Sequence, residues 1–205
     1  MNHTPISLDL EGARRFHGHS CPGLTMGIRV AEIALREIGP HSADEEVVCM
    51  TEADHCAVDA IQYLTGCTAG KGNLIYRDHG KSVFTFIRRS DGKAVRISAR
   101  PGFGGQHDPK ESEIFDRMRA GQPVSDEERR YFQQCREERI QAILDAPLEE
   151  LFEVRRVEVD MPDKARILTS MVCAACGEGT MATRVRYFAG QPYCIPCFDA
   201  LTREP

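Results

Sequence analysis

EVVCMTEADHCAVDAIQYLTGCTAGKGNL, residues 46–74, runs from strand to helix to glycine-rich loop without a linker. Glu46 to Thr51 has the β-branched content of a strand. Asp54 is placed to cap a helix over His55 to Thr65, and Gly66 stands at its stop position. GCTAGKGNL, 66–74, carries three glycines and Lys71 and reads as a loop.

Outward from this stretch the pattern stays mixed. Residues 8–16 form a short first helix, interrupted by HGHSCPG at 17–23. A second helix begins near Pro22, since proline suits the first turn, and Leu24, Ile28, Ala31, Leu35 and Ile38 give it one apolar stripe. Gly39-Pro40 ends it. SVFTFIRR (82–89) and AVRISAR (94–100), joined through Asp91-Gly92, predict an antiparallel hairpin. The pattern turns helical at Glu111 and breaks at Pro123. Ser125 with Glu128 then forms a capping box for a charged helix reaching Asp145. LFEVRRVEVDMP, 151–162, alternates as a strand. The fold class is therefore α+β, an antiparallel or mixed sheet packed with helices over residues 1–162, followed by a small module over 163–205.

That module holds Cys173-x2-Cys176, seventeen intervening residues, and Cys194-x2-Cys197. Paired thiolates at this spacing suit one tetrahedral zinc, and four cysteine ligands close its shell, which makes the ion structural. Gly177 permits the knuckle turn, 183–194 reads as a hairpin, and Cys197 opens a short helix. The order is that of a treble clef; a rubredoxin-like ribbon competes. Four unrelated core thiols is the poorer account, because so short a segment cannot bury enough surface without a staple.

The nine cysteines are an odd number. In a reducing compartment they serve as metal ligands, reactive thiols or core fillers sooner than as disulfides. No stretch approaches the roughly eighteen apolar residues of a membrane helix, and nothing at the start resembles an export signal, so no membrane association and a cytoplasmic location are expected. Net charge of -5 and a pI near 5.8 disfavour a chain-wide nucleic-acid footprint.

A second cluster is expected where His17, His19 and Cys21 approach Asp54, His55, Cys56, Asp59 and Cys67. The glycine between the histidines lets both rings turn toward one ion only in a loop. Cys56, in the first helical turn, is a candidate ligand or nucleophile, because helix amides and dipole favour a thiolate. Asp59 and Tyr63 share its face, so Asp59 is placed to orient a ligating histidine. A His2Cys set with an open position suits a catalytic zinc or related transition metal. The alternative is histidines that pack or cap and thiols that fill small core gaps. TAGKGN lacks P-loop spacing and a Ser or Thr after Lys71, which leaves only a simpler anion as its ligand.

HGHSCPG at 17–23, CAVDAIQYLTGCTAGKGNL at 56–74 and the terminal pair of CxxC motifs together resemble the FmdE family, named for a component of formylmethanofuran dehydrogenase. The resemblance runs from about residue 12 to 160 and extends to an auxiliary finger that some members carry. It implies an α+β core that dimerises, a cleft lined by the motif residues, and a treble-clef zinc finger. Its motif positions here are His17, His19, Cys21, Cys56, Asp59, Gln62, Cys67, Lys71 and Asn73. On that basis the cleft metal, zinc or nickel, draws on His17, His19, Cys21, Cys56 and Cys67, with Cys56, His19, Asp59 and Lys71 as candidate catalytic groups. The functions implied are an accessory to a molybdenum- or tungsten-dependent dehydrogenase, a free-standing metalloenzyme, or a binding module using Arg184, Arg186 and Arg203 of the finger.

Overall fold

The computed structural model describes residues 8–102 and 108–203. The chain divides into two compact units, Met1–Lys164 and Ala165–Pro205.

In the first unit, α1 (Leu10–His17) and α2 (Pro22–Glu37) precede β1 (Val47–Thr51), α3 (Ala57–Thr65) and β2 (Leu74–Tyr76). β3 (Val83–Arg88) and β4 (Ala94–Ala99) follow, then α4 (Pro109–Arg119), α5 (Asp126–Asp145), α6 (Leu148–Leu151) and β5 (Phe152–Arg156). The five strands form one mixed sheet in the order β2-β1-β3-β4-β5. β1 and β2 are its parallel pair, with Cys49 opposite Leu74, and α3 supplies the crossover that a parallel connection needs. The remaining pairs are antiparallel.

Every second residue of the central strands points into the main core. Cys49, Phe84, Phe86, Val95 and Ile97 meet Val30, Ile33, Ala34 and Ile38 of α2 and Ile61 of α3 there. Burying Phe84 and Phe86 stabilises the fold by roughly 1.5–3 kcal/mol each. Gly27 sets the approach of α2 to α3: a Cβ there would lie 2.3 Å from the Ala57 carbonyl oxygen. The Ser125–Glu128 capping box forms with both of its bonds.

Several local readings shift. β2 begins at Leu74, the last residue of the segment read as loop, and its three residues are too few to show periodicity. α3 starts at Ala57, with Cys56 at the N-cap position and no side-chain cap bond. Asp54 does not cap it; His55 Nδ1 instead accepts from the Ala57 amide at 3.3 Å. α6 is a further element that the sequence pattern does not reveal, being a single turn before β5.

The second unit has two small hairpins, β6 (Ser170–Val172) with β7 (Gly179–Met181) and β8 (Val185–Phe188) with β9 (Gln191–Cys194). α7 (Ile195–Thr202) closes it. Ala189 and Gly190, both with positive φ, make the tight β8–β9 turn. Among the described residues no helix is long and apolar enough to cross a membrane.

Candidate metal centres

The turn between α1 and α2 is shaped by two helix ends. Gly18, at φ 91°, closes α1 in the left-handed conformation. Cys21 is extended at the N-cap of α2, where its Sγ accepts from the Leu24 amide at 3.2 Å. This brings Cys21 Sγ within 3.7 Å of His17 Nε2, the last residue of α1. α3 packs across both helices and contributes Cys56. One ligand atom from each of His17, Cys21 and Cys56 lies within 4.8 Å of the others.

A tetrahedral ion with bonds of about 2.0–2.3 Å holds its ligands roughly 3.5–3.8 Å apart, so His17 and Cys21 already stand at that separation. His17 Nδ1 is 2.7 Å from Asp59 Oδ2. An ionised carboxylate only accepts, so Nδ1 carries the proton and Nε2 turns its lone pair toward the thiols. Asp59 is steadied in turn by Gln62 Nε2 at 3.5 Å, and Gln62 Oε1 accepts from the Ala69 amide. Cys56 is pushed above the usual thiol range, first by burial and then by Cys21 beside it. A cation between the two sulfurs would supply the missing positive charge. Gly23 faces the pair, and a Cβ there would sit 3.2 Å from Cys56 Cβ and 3.9 Å from Cys21 Sγ, so any larger residue would crowd both thiols. Three ligands leave one of four positions open.

Other sequence candidates fall elsewhere. His19 is exposed and rests its ring against His17, centroids 4.4 Å apart, instead of joining the cluster. Partial desolvation, and then the neighbouring Arg136 guanidinium among other groups, lowers its pKa. Cys67 is fully buried, 3.5 Å from the Val47 carbonyl oxygen, and burial pushes it up to about 11, which makes it a core thiol. Lys71 donates to the carbonyls of Ser42 and Asp44, so it ties the loop and presents no anion cradle. Asn73, buried below it, donates to Val47. Tyr63 turns to α1 and bonds Asp9 at 2.7 Å. The role of Gly23 does not emerge from sequence, although a glycine in a first helical turn, where it weakens the helix, is the available signal.

In the second unit Cys173, Cys176, Cys194 and Cys197 converge, again with one sulfur each within 4.8 Å. Cys176 and Cys194 Sγ are 3.9 Å apart, close to the edge of a tetrahedral thiolate shell. Gly177, at φ 75°, returns its amide to the Cys173 carbonyl to form the knuckle. Amides of Cys176 and Cys194 lower Cys173 to about 6, whereas neighbouring thiols push Cys197 up to about 12.

Residues 16–153 match the family model described as FmdE, molybdenum formylmethanofuran dehydrogenase operon. The chain belongs to the FmdE family. Residues 166–203 of this FmdE chain match the prokaryotic dksA/traR C4-type zinc finger, in agreement with structural zinc on the four cysteines. A relative from Archaeoglobus fulgidus, named "Probable S-adenosyl-L-methionine-binding protein", is 36% identical over 191 residues, 90% of this chain. The chain spans about half, 51%, of that relative's length. A tungsten formylmethanofuran dehydrogenase FmdE-like protein from Syntrophus aciditrophicus shares the fold at TM-score 0.59 and 21% identity, over 95% of this chain and 92% of that one.

Proposed function

We propose that the core of this FmdE protein binds one transition metal, zinc or nickel, through His17, Cys21 and Cys56, and serves as an accessory to a molybdenum- or tungsten-dependent dehydrogenase. The convergence of those three ligand atoms, with Asp59 fixing the His17 tautomer, carries the metal reading. The operon named in the family description supports the dehydrogenase connection. The open fourth position gives a substrate or a partner's ligand a place to bind. The finger, which we read as a treble clef on its order of knuckle, hairpin and helix, holds its zinc for structure. In this reading the protein works in the cytoplasm as a homodimer, and light scattering on the intact chain tests the dimer.

Elemental analysis of intact chains purified without chelators separates the two sites. Wild type is expected to carry two ions, with one lost in His17→Ala/Cys56→Ser and a different one in Cys194→Ser. One ion in wild type, unchanged by the core substitutions, would remove the core metal and the function built on it.

A further inference from the structure

α4 and α5 lie back to back beside the turn that carries Cys21. Between them is a cavity of about 560 Å³, within the usual range of small-molecule sites, bounded by Pro22, Glu111, Phe115, Asp116, Phe132 and Arg139. Pro22 follows Cys21 directly, and Arg136 of α5 donates to the Ser20 carbonyl, so this wall is tied to the ligand-bearing turn. The cavity therefore opens next to the three-ligand cluster.

Its chemistry is selective. Phe115 and Phe132 are nearly parallel, 8° between planes with centroids 6.1 Å apart, an offset stacked pair that lends the cavity an aromatic wall. Phe115 remains 46% exposed, an apolar face left in water. In the floor Arg139 pairs with Glu111, whose side chain is almost wholly buried. Asp116 stands at the exposed rim, and the chain as a whole is acidic at -5. An anionic ligand would have to compete with Glu111 for Arg139 and would meet Asp116.

From the aromatic wall and this charge balance, we propose that the α4–α5 cavity binds a planar aromatic or heteroaromatic ring bearing a cationic nitrogen substituent. The ring stacks on Phe115 and Phe132 and the cation faces Asp116. Binding needs only these residues; that the bound ring lies beside a metal rests on the function proposed above.

The test is calorimetric titration of the intact, metal-loaded protein with three fragments: benzamidine (planar cation), benzoate (planar anion) and cyclohexylamine (cation without a planar ring). Benzamidine is expected to bind more tightly than the other two. Phe132→Leu, which keeps the site apolar, should weaken it about three- to tenfold, the size of one aromatic stacking contribution. Asp116→Asn should narrow the gap between benzamidine and benzoate. Cys56→Ser should leave benzamidine affinity unchanged while removing the core metal, so loss of the metal reading alone does not touch this result. Equal binding of benzoate, equal binding of cyclohexylamine, or a benzamidine affinity indifferent to Phe132→Leu would overturn the proposal.

Discussion

The core and the finger both gather cysteines around a single point, but their surroundings are opposite. Among the finger's described residues only Cys173 is buried, while Val172, Met181, Tyr187, Phe188 and Leu201 are exposed. The core buries Phe84, Phe86, Ile33, Ile61 and Ile97 in one continuous cluster, while Cys21 belongs to a second, smaller cluster against which Cys56 packs. A metal in the finger stands in for an apolar interior. In the core the interior exists already, and a metal can be exchanged, left partly open to solvent, or used for chemistry. The candidate donor sets agree: four sulfurs that would close a shell in one place, and three mixed ligands that would leave a position open in the other.

The largest effect that tests this contrast is loss of the finger's zinc. Structural zinc supplies about 10–16 kcal/mol of apparent binding energy in comparable modules. Cys194→Ser, or treatment with a strong chelator, should therefore unfold residues 165–203 as a unit, seen as loss of amide protection there with the core unchanged. If protection in the finger survived zinc removal, the contrast would collapse. The converse substitution is Phe86→Ala, fully buried between β1 and β4. It should cost the core about 3–5 kcal/mol in chemical denaturation while zinc stoichiometry in the finger stays the same.

A smaller effect probes the core site. Asp59→Asn keeps the shape of the side chain but no longer fixes a proton on His17 Nδ1, the atom it now meets at 2.7 Å. Changes of this kind lower metal affinity about 10–100-fold, so competition titration against a chromophoric chelator should show that loss at one site only. Global stability should barely move, since Asp59 lies outside the main hydrophobic cluster. An unchanged affinity would mean that His17 is not a ligand.

How much of the molecule is legible in its sequence follows the same division. The finger's ligands are legible because their order is local: pairs two residues apart, a glycine at the knuckle and a hairpin are properties of short segments. Helices with caps or breakers, such as α2 with Pro22 and α5 with Ser125 and Glu128, are legible for the same reason. The core cluster is harder, because His17 and Cys21 meet Cys56 only through the packing of α1 and α2 on α3, and helix packing leaves no periodic trace of which thiol faces which. Cys56 and Cys67 both sit in the motif, yet α3 turns the first toward His17 and the second under β1 against Val47. Lys71 has the look of a phosphate ligand in a glycine loop, but the backbone carbonyls of Ser42 and Asp44 occupy its ammonium.

Acid should separate the two regions with the smallest but most diagnostic effect. Zinc in the finger requires thiolates, so protons compete it away as pH falls. In the core unit, two surface carboxylates are held well below their ordinary range. Glu128 is lowered to about 2 by the Ser125 amide and then Arg117, and Asp91 is lowered to about 2 by Arg88 and then the Lys93 amide. Because the folded-state values lie below the unfolded ones, the stabilisation from Glu128 is complete above its ordinary value of 4.5 and fades as pH drops from there toward about 2. Glu128→Gln should thus melt below wild type at pH 6 and converge with it near pH 2, in the temperature at which the α5 signal is lost. Two curves that stay parallel over that interval would mean that the cap's charge contributes nothing. Zinc release already complete while α5 remains folded would show the finger and the core titrating through different groups, as their construction requires.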